Sequence, residues 1–111
     1  MVTPTTISAL AQPGQRDHTS ASDADGCRGE AKTVVPTAVA RWGFEHGSTH
    51  WREVVASPEI DIVDIVAPNH VHAEIAIAAA KAGKHVLCEK PLALTSKQCA
   101  DMVSAVKKAR V

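Results

Sequence analysis

The chain has 111 residues, with twelve lysines and arginines balanced by twelve aspartates and glutamates. That length allows one small domain, and zero formal net charge leaves no electrostatic footprint for nucleic acid or an anionic membrane surface. No apolar run approaches the roughly 20 residues that span a bilayer, and no basic segment followed by an apolar stretch opens the chain. The three cysteines lack metal-site spacing and suit reduced thiols in a cytoplasmic protein.

Residues 1–33 are rich in Thr, Ser, Asp, Gly and Gln and show neither a period of 2 nor one of 3.6. Their one apolar cluster, around Ile7, Ala9 and Leu10, is short, so the stretch reads as an irregular, poorly ordered segment. Its glycine-containing run, Gly26-Cys27-Arg28-Gly29, follows no strand pattern and lacks a G-x-G start. A folded unit is expected over residues 34–111. Pro36 suits the first turn of a helix reaching Trp42, with Gly43 as its stop. His50-Trp51-Arg52-Glu53-Val54-Val55 reads as a second short helix, with Glu53 placed to reach back as in a capping box. Ser57-Pro58-Glu59 turns the chain toward the centre of the fold.

That centre is residues 60–92. Residues 60–66, IDIVDIV, read as a strand buried on both faces. Pro68 stops it, and Asn69 is placed to cap the following helix. Residues 71–82 are rich in Ala and Ile, a good helix former with one broad apolar face, and Gly83 stands where a left-handed residue ends a helix. Residues 84–88 form a second short strand, which delivers Glu89, Lys90 and Pro91 at its end. This strand–helix–strand crossover builds a parallel sheet, and in such sheets ligands lie beyond the carboxyl ends of the strands. Thr95 and Gln98 then open a last helix, in which Cys99, Met102, Val103 and Val106 form an apolar stripe. Lys107, Lys108 and Arg110 close it.

A strand ending in Ala67-Pro68-Asn69, a histidine three residues after the asparagine, and then AGKHVLCEKPLA over residues 82–93 resemble the Gfo/Idh/MocA oxidoreductases. The resemblance implies an α/β fold: part of a Rossmann-like parallel sheet with covering helices. It implies NAD or NADP as cofactor and hydride transfer to or from a sugar or cyclitol hydroxyl. It also implies that the second, catalytic domain and the glycine-rich loop are missing, as in a truncated or wrongly framed reading of a longer gene. Oligomerisation would belong to a full-length form. By the same resemblance, Lys90 is the catalytic candidate, close to the nicotinamide and a substrate hydroxyl. Pro68, Asn69, Glu89, Lys90 and Pro91 are the cofactor-binding candidates, with Glu89 near the ribose.

Each of these has a plainer alternative. Lys90 can be a solvated surface lysine, Glu89 a structural acid paired with a base, and Asn69 only a helix cap. The following proline holds Lys90 extended, and a cis Lys90–Pro91 bond fits such a turn. His72 reads as a first-turn histidine bonding its own loop rather than a catalyst. His70, His72, His85 and Cys88 cluster in sequence without zinc-ligand spacing, so no metal is expected. Cys88, in a buried strand without a base, reads as a small hydrophobe. The competing functional reading is a non-catalytic fragment or interaction piece that turns nothing over.

Overall fold

The computed structural model describes residues 6–10, 20–22, 40, 46–48 and 50–111. Five strands form one sheet in the order β3-β2-β1-β4-β5: β1 (Thr6–Leu10), β2 (Ser20–Ser22), β3 (His46–Ser48), β4 (Ile62–Val66) and β5 (His85–Cys88). The helices are α1 (Trp51–Ala56), α2 (His72–Lys81) and α3 (Ser96–Ala109), with a single 3-10 turn over Asn69–Val71 leading into α2. Of the helix expected over residues 36–42, only Ala40 lies among the described residues, and it is helical. The Gly26–Gly29 run lies outside them.

The crossover expected from the apolar runs is present. β4 and β5 are parallel neighbours, with Ile62 opposite His85 and Ile65 opposite Cys88, and α2 connects them. The sheet is mixed rather than wholly parallel. β1 runs antiparallel to both β4 and β2, while β2 is parallel to β3. Hence β1 alone opposes the other four strands. Thr6 stands opposite Val66 and Leu10 opposite Ile62.

The two strands Thr6–Leu10 and Ser20–Ser22 fall within the stretch expected to be irregular, and for them that expectation does not hold. Their local pattern is weak, and pairing decides. The side of β4 away from β5 carries backbone N–H and C=O groups that need partners, and even a five-residue strand supplies them.

Within β4 the burial alternates. Val63 and Ile65 are fully buried, whereas Val66 is 45% exposed. The expectation of burial on both faces is therefore corrected: α1, α2 and α3 all feed one buried cluster with Val63 and Ile65. Side chains of a strand alternate between faces, so Ile62, Asp64 and Val66 point the other way, as does exposed Leu87 on β5. The cluster contains Trp51, Val54 and Val55 from α1, Ile75, Ala76 and Ala79 from α2, and Met102 from α3. Burying a side chain such as Ile75 contributes about 1.5–3 kcal/mol. On α3 the expected stripe is rotated: Met102 is buried, but Val103 is 44% exposed.

Helix ends follow their local chemistry. Gly83 has φ +77° and its N–H donates to Ala80 O, while Lys84 N–H donates to Ala79 O, the paired bonds of a Schellman stop. Thr95 Oγ1 accepts from Gln98 N–H at 3.2 Å, and Gln98 Oε1 accepts from Leu94 N–H at 3.0 Å. At α1 the expected reach of Glu53 ends on Ser48, whose hydroxyl donates to Glu53 Oε2 at 2.9 Å and accepts from His50 N–H.

Candidate active site

Because β4 and β5 are parallel and in register, their carboxyl ends open on one edge. There residues 67–69 follow β4 and residues 89–91 follow β5. Asn69, Glu89, Lys90 and Pro91 are exposed on that edge, and Pro68 is half-buried. The candidates from the two motifs, 20 residues apart in chain number from Asn69 to Glu89, are thus brought together by the crossover. Glu89 N–H donates to Ile65 O at 3.0 Å, continuing the ladder one step past β5. The Glu89 carboxylate turns back and accepts from Lys90 N–H at 2.7 Å. The Lys90–Pro91 peptide is cis.

Asn69 does not cap α2. No side-chain cap is made at the 3-10 turn or at the start of α2; instead Val71 N–H donates to Pro68 O at 3.1 Å. The inserted turn places Asn69 two residues ahead of the position a cap would need, and its side chain is left on the exposed edge.

His72 is fully buried beneath the edge. Its Nε2 lies 2.7 Å from Ala67 O, the bond to its own loop that a first-turn histidine suggests. Its Nδ1 lies 2.9 Å from Pro91 O, a partner that sequence does not reveal. Both ring nitrogens thus face carbonyl oxygens within hydrogen-bonding distance, and neither is turned toward an open metal position. Lys84 was also not legible as a structural residue. It is buried, and its Nζ donates to Ser57 O at 2.7 Å, tying the start of β5 to the end of α1.

Two groups near the edge titrate abnormally. Burial, and then the charge of Glu89, push the Asp64 carboxyl above the usual carboxylate range. Burial, followed by the carboxylates of Asp64 and Glu89, pushes the Cys88 thiol up. Cys88 is therefore held as a thiol, unsuited to nucleophilic attack.

Residues 6–111 match the family model described as the oxidoreductase family with an NAD-binding Rossmann fold, Gfo/Idh/MocA. The chain belongs to this family. Among Gfo/Idh/MocA relatives, levoglucosan dehydrogenase of Pseudarthrobacter phenanthrenivorans is 53% identical over 74 residues, which is 67% of this chain and 19% of that protein. An inositol 2-dehydrogenase/D-chiro-inositol 3-dehydrogenase of Lactiplantibacillus plantarum is 47% identical over 58 residues, 52% of this chain and 17% of its own. The solved levoglucosan dehydrogenase in complex with NADH and L-sorbose superposes with a TM-score of 0.70 at 45% identity, over 79% of this chain and 22% of that one. An NAD-binding oxidoreductase from Klebsiella pneumoniae gives 0.74 at 40% identity, over 83% of this chain and 23% of that one. The chain thus spans about one fifth of the length of these Gfo/Idh/MocA proteins.

The described residues suit one end of a dinucleotide better than the other. The edge beyond β4 and β5 offers a carboxylate, an amide and an ammonium group, the donor and acceptor types that ribose hydroxyls and a nicotinamide carboxamide pair with. A diphosphate instead needs backbone N–H groups from a tight turn between a strand and a helix N-terminus. In this sheet the chain leaving β1 at Leu10 departs beside Ile62, at the edge opposite to Asn69 and Lys90. Among the described residues no turn from β1 reaches the candidate site.

Proposed function

We propose that this chain forms the nicotinamide side of the cofactor site of an oxidoreductase that moves a hydride between a sugar or cyclitol carbinol and NAD or NADP. The observation that carries the reading is the meeting of residues 67–69 and 89–91 at one sheet edge. The bound cofactor supplies the hydride chemistry. Lys90 orients a substrate hydroxyl and assists its proton, held extended by the proline that follows. Glu89 accepts from ribose hydroxyls with the lone pairs not used by Lys90 N–H, and Pro68, Asn69 and Pro91 shape the walls around the ring.

The direction of β1 supports a second reading for the chain by itself, as a piece without turnover. With no cradle for the diphosphate among the described residues, NAD(H) or NADP(H) should bind at millimolar concentration or more weakly, short of about −4 kcal/mol.

Amide shift mapping with nicotinamide mononucleotide tests both. Shifts confined to Asn69, His70, Glu89, Lys90 and Leu92 at millimolar ligand are expected, and in a separate assay with NAD and a sugar or cyclitol the chain should form no NADH. Shifts elsewhere on the chain, or none, would refute the site. Micromolar affinity for the whole dinucleotide would refute the second reading.

A further inference from the structure

His72 has no part in the site as described, yet among the described residues it is the buried ring that touches both of its turns. It enters from the first turn of α2, fully buried, with Nε2 at 2.7 Å from Ala67 O and Nδ1 at 2.9 Å from Pro91 O. The neutral tautomer donates to one of these carbonyls and the protonated ring to both. Neither carbonyl belongs to the β4–β5 ladder, which ends with the bond from Glu89 N–H to Ile65 O. Beyond that rung the imidazole lies between the two turns, and the protonated ring bonds both.

We infer that His72 is a positioning residue that locks the turn at residues 67–69 to the turn at residues 89–91, and so sets the spacing between Asn69 and Lys90. The inference rests on the proposed function for the meaning of that spacing. The lock itself is a property of the chain. A buried polar group costs stability when unpaired, so a core residue chosen for packing alone would be apolar. The neighbours of His72 on the same helix face, Ala73, Ile75 and Ala76, are all apolar and buried. An imidazole is rigid, and in its protonated form it carries an N–H donor at each end, which lets it bond both carbonyls at once.

Chemical rescue tests the lock on the full chain. His72→Gly removes the ring and should displace the amide signals of Asn69 and His70 together with those of Glu89, Lys90 and Leu92. Hydrogen exchange at these amides should rise at least tenfold. Added imidazole should restore both sets with one common midpoint concentration, and benzene, which fills the same space without nitrogens, should not. Restoration of only one turn by imidazole, or of both turns equally by benzene, would overturn the inference. His72→Phe keeps the volume if the glycine variant does not fold. It should displace both turns while the methyl signals of Val63, Ile65 and Ile75 stay in place, and unmoved turns would count against the lock. In the unmodified chain, ring protons of His72 should show through-space contacts to both Ala67 and Pro91; contact with one alone refutes it. No arm reads Lys90 chemistry. A failure in nicotinamide mononucleotide mapping thus leaves the lock standing, and a failed rescue leaves the site assignment standing.

Discussion

The N–H of Glu89 donates to the carbonyl of Ile65 at 3.0 Å, one rung beyond the paired residues Ile65 and Cys88. That rung sets the ends of β4 and β5 level, so Lys90 emerges beside the turn that carries Pro68 and Asn69. If Lys90 acts on the substrate and the transition state, its loss should harm turnover far more than cofactor affinity. In a full-length relative carrying the same turn, Lys90→Ala should lower kcat by about 10²–10⁴-fold, the usual worth of acid–base assistance. Cofactor Kd should move by less than about tenfold, or roughly 1.4 kcal/mol. Lys90→Arg should not rescue, because a guanidinium stays protonated. Steady-state kinetics with a sugar or cyclitol decides, and near-full turnover by Lys90→Ala would remove the residue from the site.

Asp64 makes stability depend on pH in a stated direction. Burial, then the Glu89 charge, hold its carboxyl above the ordinary value of 3.8. A folded-state value above the unfolded one means that the native chain binds the proton more tightly. The associated stability is present below pH 3.8 and is lost as pH rises through the raised folded value. Asp64→Asn should therefore raise the urea midpoint at neutral pH, with the gain fading on acidification below the ordinary carboxylate range. An unchanged or lowered midpoint at neutral pH contradicts this.

Burial first, and then the same carboxylates, raise the Cys88 thiol. With its thiol raised by burial and by Asp64 and Glu89, alkylation by iodoacetamide at pH near neutrality should be slow. Glu89→Gln removes one of the charges and should speed modification of Cys88, read by mass spectrometry of the peptide containing it. A rate unaffected in both Glu89→Gln and Asp64→Asn would leave burial as the sole cause.

Two helix stops predict opposite signs. Gly83 has φ +77° with open space where a Cβ would sit, so Gly83→Ala costs only backbone strain, about 1 kcal/mol. That corresponds to a Tm lower by about 4–8 °C for a domain of this size. Arg110 ends α3 at φ 61° with the same bond pattern, its N–H on Lys107 O and that of Val111 on Val106 O. Arg110→Gly should raise Tm, by no more than the same amount. Thermal unfolding that moves both variants in one direction would refute the shared cause.

The parts of this fold that could be read from sequence carry their own local signals. Apolar runs with a proline and a glycine as punctuation marked β4, α2 and β5, and crossover topology then placed Asn69 and Lys90 on one edge. Thr95 and Gln98 named the start of α3. What escaped reading depends on partners far along the chain. Thr6–Leu10 carries little strand signal of its own and is fixed by pairing with β4. Val66 and Leu87 have the composition of core residues, but their exposure depends on which sheet face the helices cover. The contact of the His72 ring with the Pro91 carbonyl spans 19 residues and involves a backbone atom, which leaves no side-chain signature.

The placement of β1 also bears on the order in which the chain assembles. β4, α2, β5 and α3 follow one another without interruption from Ile62 to Ala109, so their contacts close short loops. Joining Leu10 to Ile62 instead closes a loop of about fifty residues, with an entropic cost that grows as (3/2)RT ln n. Docking of β1 is thus expected to be the late, separable event. Opening should begin there: amide exchange should release β1 before the β4–β5 pair, and the C-terminal unit should outlast the strand that completes its sheet.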